Sequence, residues 1–231
     1  TKAGEHLIPY VDDILQSVDK LSFLGEHLSE CQGDIQIGVG ESLLCYKLPA
    51  ILKEFHRQAP KARLFLRSMN CYDIRDELFS GGLDLGVFYE DVGGNYPVVL
   101  VASPEIQNRY PDFVTPDRTI PLPLIINEPN CIFRQIFEQY LRDKSIILDH
   151  TIELWSIPTI KNLVKNNVGI SFLPEFTVTE ELNRGELVKI PTDISGTKIT
   201  AVCAHHKNKW VSPLMQLFIH LCDSVSCGGE R

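Results

Sequence analysis

The feature that most constrains this chain is a strand-helix-strand-helix-strand order that occurs twice. Asp34–Gly40 (DIQIGVG) reads as a strand, followed by a helix near Leu43–Gln58 that ends at Pro60. Arg63–Met69 is a second strand, Tyr72–Ser80 a helix closed by Gly81-Gly82, and Leu83–Tyr89 a third strand. The order returns with Pro123–Asn127, Cys131–Lys144, Thr151–Trp155, Ile157–Asn167 and Gly169–Leu173, at nearly the same interval but without matching residues. Short apolar runs that alternate with amphipathic helices imply parallel sheets with right-handed crossovers. The expected fold is therefore α/β: two similar lobes, a hinge and a cleft between them. Two extended segments join the lobes. One is Pro97–Ser103, which runs into a Pro-rich polar stretch, Pro104–Pro121; the other is Ile199–His205. A last helix at about Val211–Asp223 carries Leu214, Leu217, Phe218 and Leu221 on one face and is free to return to the first lobe.

The first 30 residues follow another rule. Leu7, Val11, Ile14, Val18, Leu21 and Leu28 fall on a stripe that repeats every three to four residues, and Glu5, Asp12, Asp13, Asp19, Lys20 and Glu26 lie largely off it. A narrow stripe of this kind describes a long helix that packs against a partner helix. Cys31-Gln32-Gly33-Asp34 reads as its exit. The expected organisation is a linker or dimerisation helix at 1–32, a first lobe at 33–103 plus 205–225, a second lobe at 104–204, and a tail at 226–231.

With 44% hydrophobic residues and a net charge of −8, the chain has material for a core and is a poor candidate for gripping phosphate backbones by itself. No apolar run is long enough to span a membrane, and the N-terminus lacks a secretory pattern. The seven cysteines form no C-x-x-C, so a reducing cytoplasm is expected, with most thiols packed as small hydrophobes. The cysteine spacings do not suit a zinc site, and His205 and His206, adjacent on an expected strand, point to opposite faces, so no metal is expected; nor is a cofactor.

Ligands of open α/β sheets bind outside the carboxyl ends of the strands. There the sequence places Glu41-Ser42, Asn70-Cys71, Glu128-Pro129-Asn130-Cys131 and Trp155-Ser156. Ser42, Asn70, Asn130 and Ser156 are all preferred helix N-caps. Four helix starts facing one cleft would attract a small anion through their free N–H groups and dipoles, even in an acidic chain. The expected effector contacts are Ser42, Leu43, Asn70, Cys71, Tyr89, Asn130, Cys131, Trp155, Ser156 and Ile157. Catalytic signatures are missing. There is no G-x-S-x-G, H-E-x-x-H or P-loop, and the third position of a dinucleotide fingerprint after Gly38-x-Gly40 is Leu43. No enzyme is expected.

These residues resemble the LysR-type bacterial transcriptional regulators, with their DNA-binding domain absent. Thr1-x-Ala3-Gly4 resembles the junction that follows the family's winged helix-turn-helix, and the striped helix resembles its linker helix. GDIQIGV at 33–39, LFSGGLDLGV at 78–87 and ELWSIPTIKNLVKNNVGISFLPE at 153–175 resemble segments of its effector-binding domain. In the last of these, Asn167-Val168 stands where a small residue and glycine often occur. The resemblance implies a fold similar to type II periplasmic solute-binding proteins, with two Rossmann-like lobes. It also implies a cleft-bound effector, homodimers or homotetramers, and DNA contact only through the winged helix-turn-helix domain. Ser42 matches the family's Ser/Thr at the first helix start, and Cys71 stands where a Thr often follows Asn. Asn130-Cys131 and Trp155 to Ile157 occupy the two facing effector loops.

Cys131 also stands where peroxide-sensing members carry their reactive cysteine. A helix start and Arg134 would favour its thiolate, whereas Tyr140 occupies the place of the resolving cysteine. Three alternatives to an anion-sensing regulator remain at this point. One is redox sensing through Cys131, and another is a free-standing solute-binding protein. The third is a transferase or dehydratase, for which only Glu41, Glu128 and Glu175 lie near strand ends.

Overall fold

The computed structural model describes residues 7–15, 17, 18, 32–90, 94–112, 114–194 and 197–226. Residues 7–15 form α1, and residues 17 and 18 are also helical. Leu7, Val11, Ile14 and Val18 of the stripe are exposed, while Leu21, Leu28 and Cys31 lie outside the described residues. The expected exit is shorter than its sequence suggests, because Gln32 to Asp34 already belong to the first strand.

The first lobe is built from β1 (Gln32–Val39), α2 (Glu41–Tyr46), α3 (Leu48–Gln58), β2 (Lys61–Ser68), α4 (Cys71–Ser80) and β3 (Leu85–Glu90). β1 lies between β2 and β3, parallel to both. The helix expected over Leu43–Gln58 is two helices. Pro49 in the interior of one continuous helix would lack an amide and strike the carbonyl one turn back, so the chain breaks at Lys47 and restarts with the proline in the first turn of α3.

β4 (Tyr96–Ala102) then crosses out of this lobe. The stretch read as Pro-rich and polar holds a helix, α5 (Pro104–Arg109). Ser103 caps it by accepting the Ile106 amide, and Pro104 opens it. The second lobe adds β5 (Thr119–Ile120), β6 (Leu124–Ile126), α6 (Ile132–Asp143), β7 (Ile147–Leu148), β8 (Thr151–Glu153), α7 (Ile157–Lys165) and β9 (Ser171–Pro174). A short 3-10 turn (Glu175–Thr177), α8 (Thr179–Asn183) and β10 (Val188–Lys189) complete it. β11 (Lys198–Ala204) returns the chain to the first lobe, and α9 (Pro213–Ser226) closes the fold. α9 packs on α3, with Phe55 and Phe218 edge to face at 5.7 Å.

The repeat seen in the sequence is a repeat of topology. In the first lobe the strand order is β2-β1-β3 with β11 antiparallel on β3. In the second, β8 and β6 are parallel, Leu124 bridges Ile170 just before β9, and β4 lies antiparallel on β9. Each lobe thus receives its antiparallel strand from the chain crossing between lobes. Among the described residues the two crossing strands pair with each other only at Lys198–Pro97 and Ile199–Tyr96, which makes this short ladder the hinge.

Gly169 shows how tightly the second lobe is closed. A Cβ there would collide with the Pro123 carbonyl, which already accepts the Ile170 amide at 3.0 Å. Gly169→Ala is expected to cost about 1–3 kcal/mol, a fall of roughly 2–10 °C in thermal midpoint by calorimetry. An unchanged midpoint would mean that this strand has room to move.

Candidate functional site

A small cavity of ≈ 40 Å³, open to solvent on one side, lies between the lobes at the carboxyl ends of β1, β2, β6 and β8, so a ligand larger than a few waters must part the lobes to enter. The starts of α2, α4, α6 and α7 converge on it, as the strand-end argument requires. Of the ten expected contacts, Ser42, Asn70, Cys71, Tyr89, Cys131, Trp155 and Ile157 line this cavity. Leu43, Asn130 and Ser156 do not. Leu43 is buried on the far side of α2 with Leu48 and Ile51, and Asn130 faces solvent. The lining also includes Gly40, Glu41, Ser68, Met69, Asn127, Glu128, Ile132 and Phe133.

Two of the four expected caps are corrected by the geometry. Gly40, in extended conformation, precedes α2, so Ser42 sits inside the helix; its hydroxyl lies 2.7 Å from that of Tyr89 in a buried pair. The Cys131 amide bonds to the Glu128 carbonyl at 3.0 Å, and this tight turn makes Cys131 rather than Asn130 the residue before α6. Asn70 and Ser156 do cap, accepting the Asp73 and Thr159 amides. Asn70 also donates to Asp73, so its side chain is committed to its own helix.

The most informative contact crosses the cleft. Both carboxylate oxygens of Glu41, from the first lobe, accept the Ile157 amide at the start of α7 in the second lobe, each at 3.0 Å. A helix start favours such a negative charge. Burial nevertheless raises the Glu41 carboxyl above its usual range, with the Ile157 bond opposing the rise. Glu128 is raised as well, mainly by burial, with Glu153 and Asp73 adding to it and Arg134 opposing. No Lys, Arg or His is among the described residues of the lining, so the positive potential there comes from helix starts.

Cys131 departs from its expected chemistry. Its thiol is raised well above the ordinary range by burial first and by Glu128 second, and the amides of Arg134 and Phe133 do not reverse this. Arg134 is turned to other partners: Glu138 at 2.7 Å, Glu153 at 2.9 Å and the Asn127 carbonyl at 2.6 Å. A protonated, buried thiol is a poor nucleophile. Alkylation by iodoacetamide at neutral pH, mapped by mass spectrometry, should label exposed Cys45 at least about tenfold faster than Cys131. Faster labelling of Cys131 would restore the thiolate reading.

A second seam joins the lobes beside the cleft. Lys161 of α7 is buried, donates to the Thr177 carbonyl and to Glu181, both at 2.7 Å, and lies 4.9 Å from the Tyr46 ring of the first lobe. Next to it, Lys47 sits over the rings of Tyr96 and Phe176.

Two sheet-based lobes, exchanging strands at a hinge and presenting helix starts to one cleft, define a small-molecule-binding domain of the type II periplasmic-binding-protein kind. The sequence model of the LysR substrate binding domain matches residues 29–226, and the chain belongs to this family of transcriptional regulators. It is similar to the uncharacterized HTH-type transcriptional regulator YfiE of Escherichia coli (strain K12), 42% identical over 99% of this chain and 80% of that protein. A second relative, YwqM of Bacillus subtilis (strain 168), is 29% identical over 96% of this chain and 78% of its own length. Among solved structures, the CcmR regulatory domain of Synechocystis PCC6803 superposes with a TM-score of 0.70 at 21% identity, covering 86% of this chain and 99% of that one. The HypT regulatory domain of Salmonella typhimurium gives 0.68 at 18%, covering 84% and 96%. Among the described residues no helix is long and apolar enough to cross a membrane, and no three metal-ligating side chains cluster.

Sequence reasoning did not assign Glu41, Asn127 and Glu128 to the ligand site. Glu41 and Glu128 were legible only as carboxylates near strand ends. Their position was legible, but an expected anion gave no reason to assign carboxylates to its site, and the bond of Glu41 to the Ile157 amide joins residues of different lobes.

Proposed function

We infer that this chain is the effector-sensing and oligomerisation part of its regulator, and that a small carboxylate or other small anion binds in the interlobe cleft. The observation that carries this is the Glu41–Ile157 contact: the cleft already holds a carboxylate on the start of α7, supplied by the protein itself. An incoming carboxylate would take that place, release Glu41 and change the angle between lobes. For this to count as allostery the ligand must bind the two arrangements with different affinity. The CcmR domain was solved in complex with 2-PG and an OxyR2 variant domain from Vibrio vulnificus in a sulfate-bound form, which supports a small anion here. Seven of the expected contact residues belong to this reading, joined by Glu41, Asn127 and Glu128.

In the same reading residues 1–32 are the pairing helix, 33–103 with 205–225 the first lobe, 104–204 the second, and 226–231 a tail, with β4 and β11 the strands that each segment gives to the other lobe's sheet. The exposed apolar residues of α1 support dimers or tetramers formed through it. DNA is contacted through the winged helix-turn-helix domain of the full-length regulator in the cytoplasm. The chain itself performs no catalysis and uses no cofactor or membrane. Titration calorimetry with short carboxylates and inorganic anions, together with molecular mass measured with and without residues 1–30, tests this. Binding of a carboxylate and a mass that falls to the monomer on deletion are expected; a monomeric intact chain that binds no anion would overturn the reading.

A further inference from the structure

We propose that the effector also carries a protonated amine, seated between the Glu128 carboxylate and Asn127 Oδ1, so that the ligand is a small amino-carboxylate. This rests on the reading that a small carboxylate enters the cleft, and it adds a second, opposite charge to that ligand.

Asn127 is only 5% exposed and lines the cavity, yet its Oδ1 is buried without a hydrogen-bond partner. Folded proteins pair roughly 90% or more of their buried polar groups, so an orphaned acceptor in a cavity wall marks the place of a missing donor. Glu128, the next residue, is 8% exposed and lines the same cavity. Both stand at the carboxyl end of β6, on the turn that leads into α6. The nearest guanidinium, Arg134, serves Glu138, Glu153 and the Asn127 carbonyl, so it does not close the cavity as a counterion would. The charges around Glu128 are predominantly negative. Glu153 and Asp73 disfavour its ionisation, burial disfavours it more, and Arg134 offsets this only in part.

A buried carboxylate and an orphaned carbonyl oxygen in the wall of one cavity, with no cation among the described residues of its lining, suit a donor that brings its own positive charge. An ammonium group offers three donors and no acceptor, and so satisfies both atoms at once. The start of α7 takes the other end of the ligand, its carboxylate. A plain carboxylate would leave Asn127 Oδ1 unpaired and would add negative charge beside Glu128.

The test compares matched probes by titration calorimetry: propanoate against L-alanine, glutarate against L-glutamate, and ethylammonium alone. Each amino-carboxylate should bind at least about tenfold more tightly than its plain counterpart. Glu128→Gln and, separately, Asn127→Leu should shrink that ratio toward one. If plain carboxylates bind as well as their amino partners, the amine seat is wrong while the anion-binding cleft stands. If neither kind binds, both fall. If ethylammonium alone binds as tightly as the amino-carboxylates, the cation seat stands and the carboxylate reading fails. A ratio that persists in both variants would overturn the assignment to these two residues.

Discussion

Lys161→Ala is expected to destabilise the domain by about 3–5 kcal/mol, enough to lower the thermal midpoint by roughly 10 °C. The Lys161 and Glu181 side chains are each 10% exposed and 2.7 Å apart. Glu181 Oε2 already lacks a partner, so removing the ammonium leaves a buried carboxylate with only a backbone amide and the weaker influence of Lys165 to favour its charge. The Thr177 carbonyl loses its donor as well. Most of this loss is the penalty for the abandoned charge rather than the net worth of the pair. Lys161→Met combined with Glu181→Leu should therefore recover most of it, and a double-mutant cycle by chemical denaturation measures the difference.

The pH dependence of this pair has a definite sign. Burial is the largest single influence on both groups and opposes both charges. Even so, the bond to Lys161 holds the Glu181 carboxyl below its usual value, and the bonds to Glu181 and Tyr46 hold the Lys161 ammonium above its own. The contribution of Glu181 is present above the ordinary carboxyl pKa and is lost as pH falls through the depressed one. That of Lys161 is present below the ordinary lysine pKa and is lost as pH rises through the raised one. The gap in stability between wild type and Lys161→Ala should stay flat through neutral pH and narrow in acid below about pH 4. A gap that widened in acid would contradict the pairing.

Glu41→Gln should make the cleft bind carboxylates more tightly, by about tenfold for a probe such as glutarate. The native carboxylate competes for the Ile157 amide. A hydrogen bond to a charged group contributes about 1.5–3 kcal/mol, and any ligand for the same amide must first displace it. The amide of glutamine keeps the shape and weakens the competitor. Calorimetry reads the change directly, and small-angle scattering should show a more open pair of lobes in the unliganded variant. Weaker binding by Glu41→Gln would show that Glu41 holds the ligand rather than stands in for it.

The layout of the lobes was legible because period and order are local: strands of apolar residues, helices with one apolar face, and glycines such as Gly81 (φ 80°), which caps α4 in the left-handed region. The break at Lys47 and the helix opened by Pro104 were also written locally, in prolines at first-turn positions. The expectation of one long helix and one polar stretch gave those prolines too little weight. Caps failed at Ser42 and Asn130 because a turn can start one or two residues away from the best capping side chain. The pairing of Glu41 with Ile157 and of Lys161 with Glu181 was not legible. The first depends on how the two lobes meet and the second on how α7 packs against α8 within the second lobe, and no periodicity records either. The reversed chemistry of Cys131 comes first from its burial and then from Glu128, neither of which the local sequence shows, while Arg134, one turn along the helix, reaches Glu138, Glu153 and the Asn127 carbonyl instead.

The claim on which the functional reading depends is that a small charged molecule enters between the lobes at the helix starts. Nitrogen-15 amide spectra recorded during titration with L-glutamate test it most directly. The largest shifts should fall on the amides of Ile157, Cys71, Glu128 and Cys131, with those of the α9 face unmoved. Shifts confined to other surfaces, or none at ligand concentrations that saturate calorimetric binding, would contradict it.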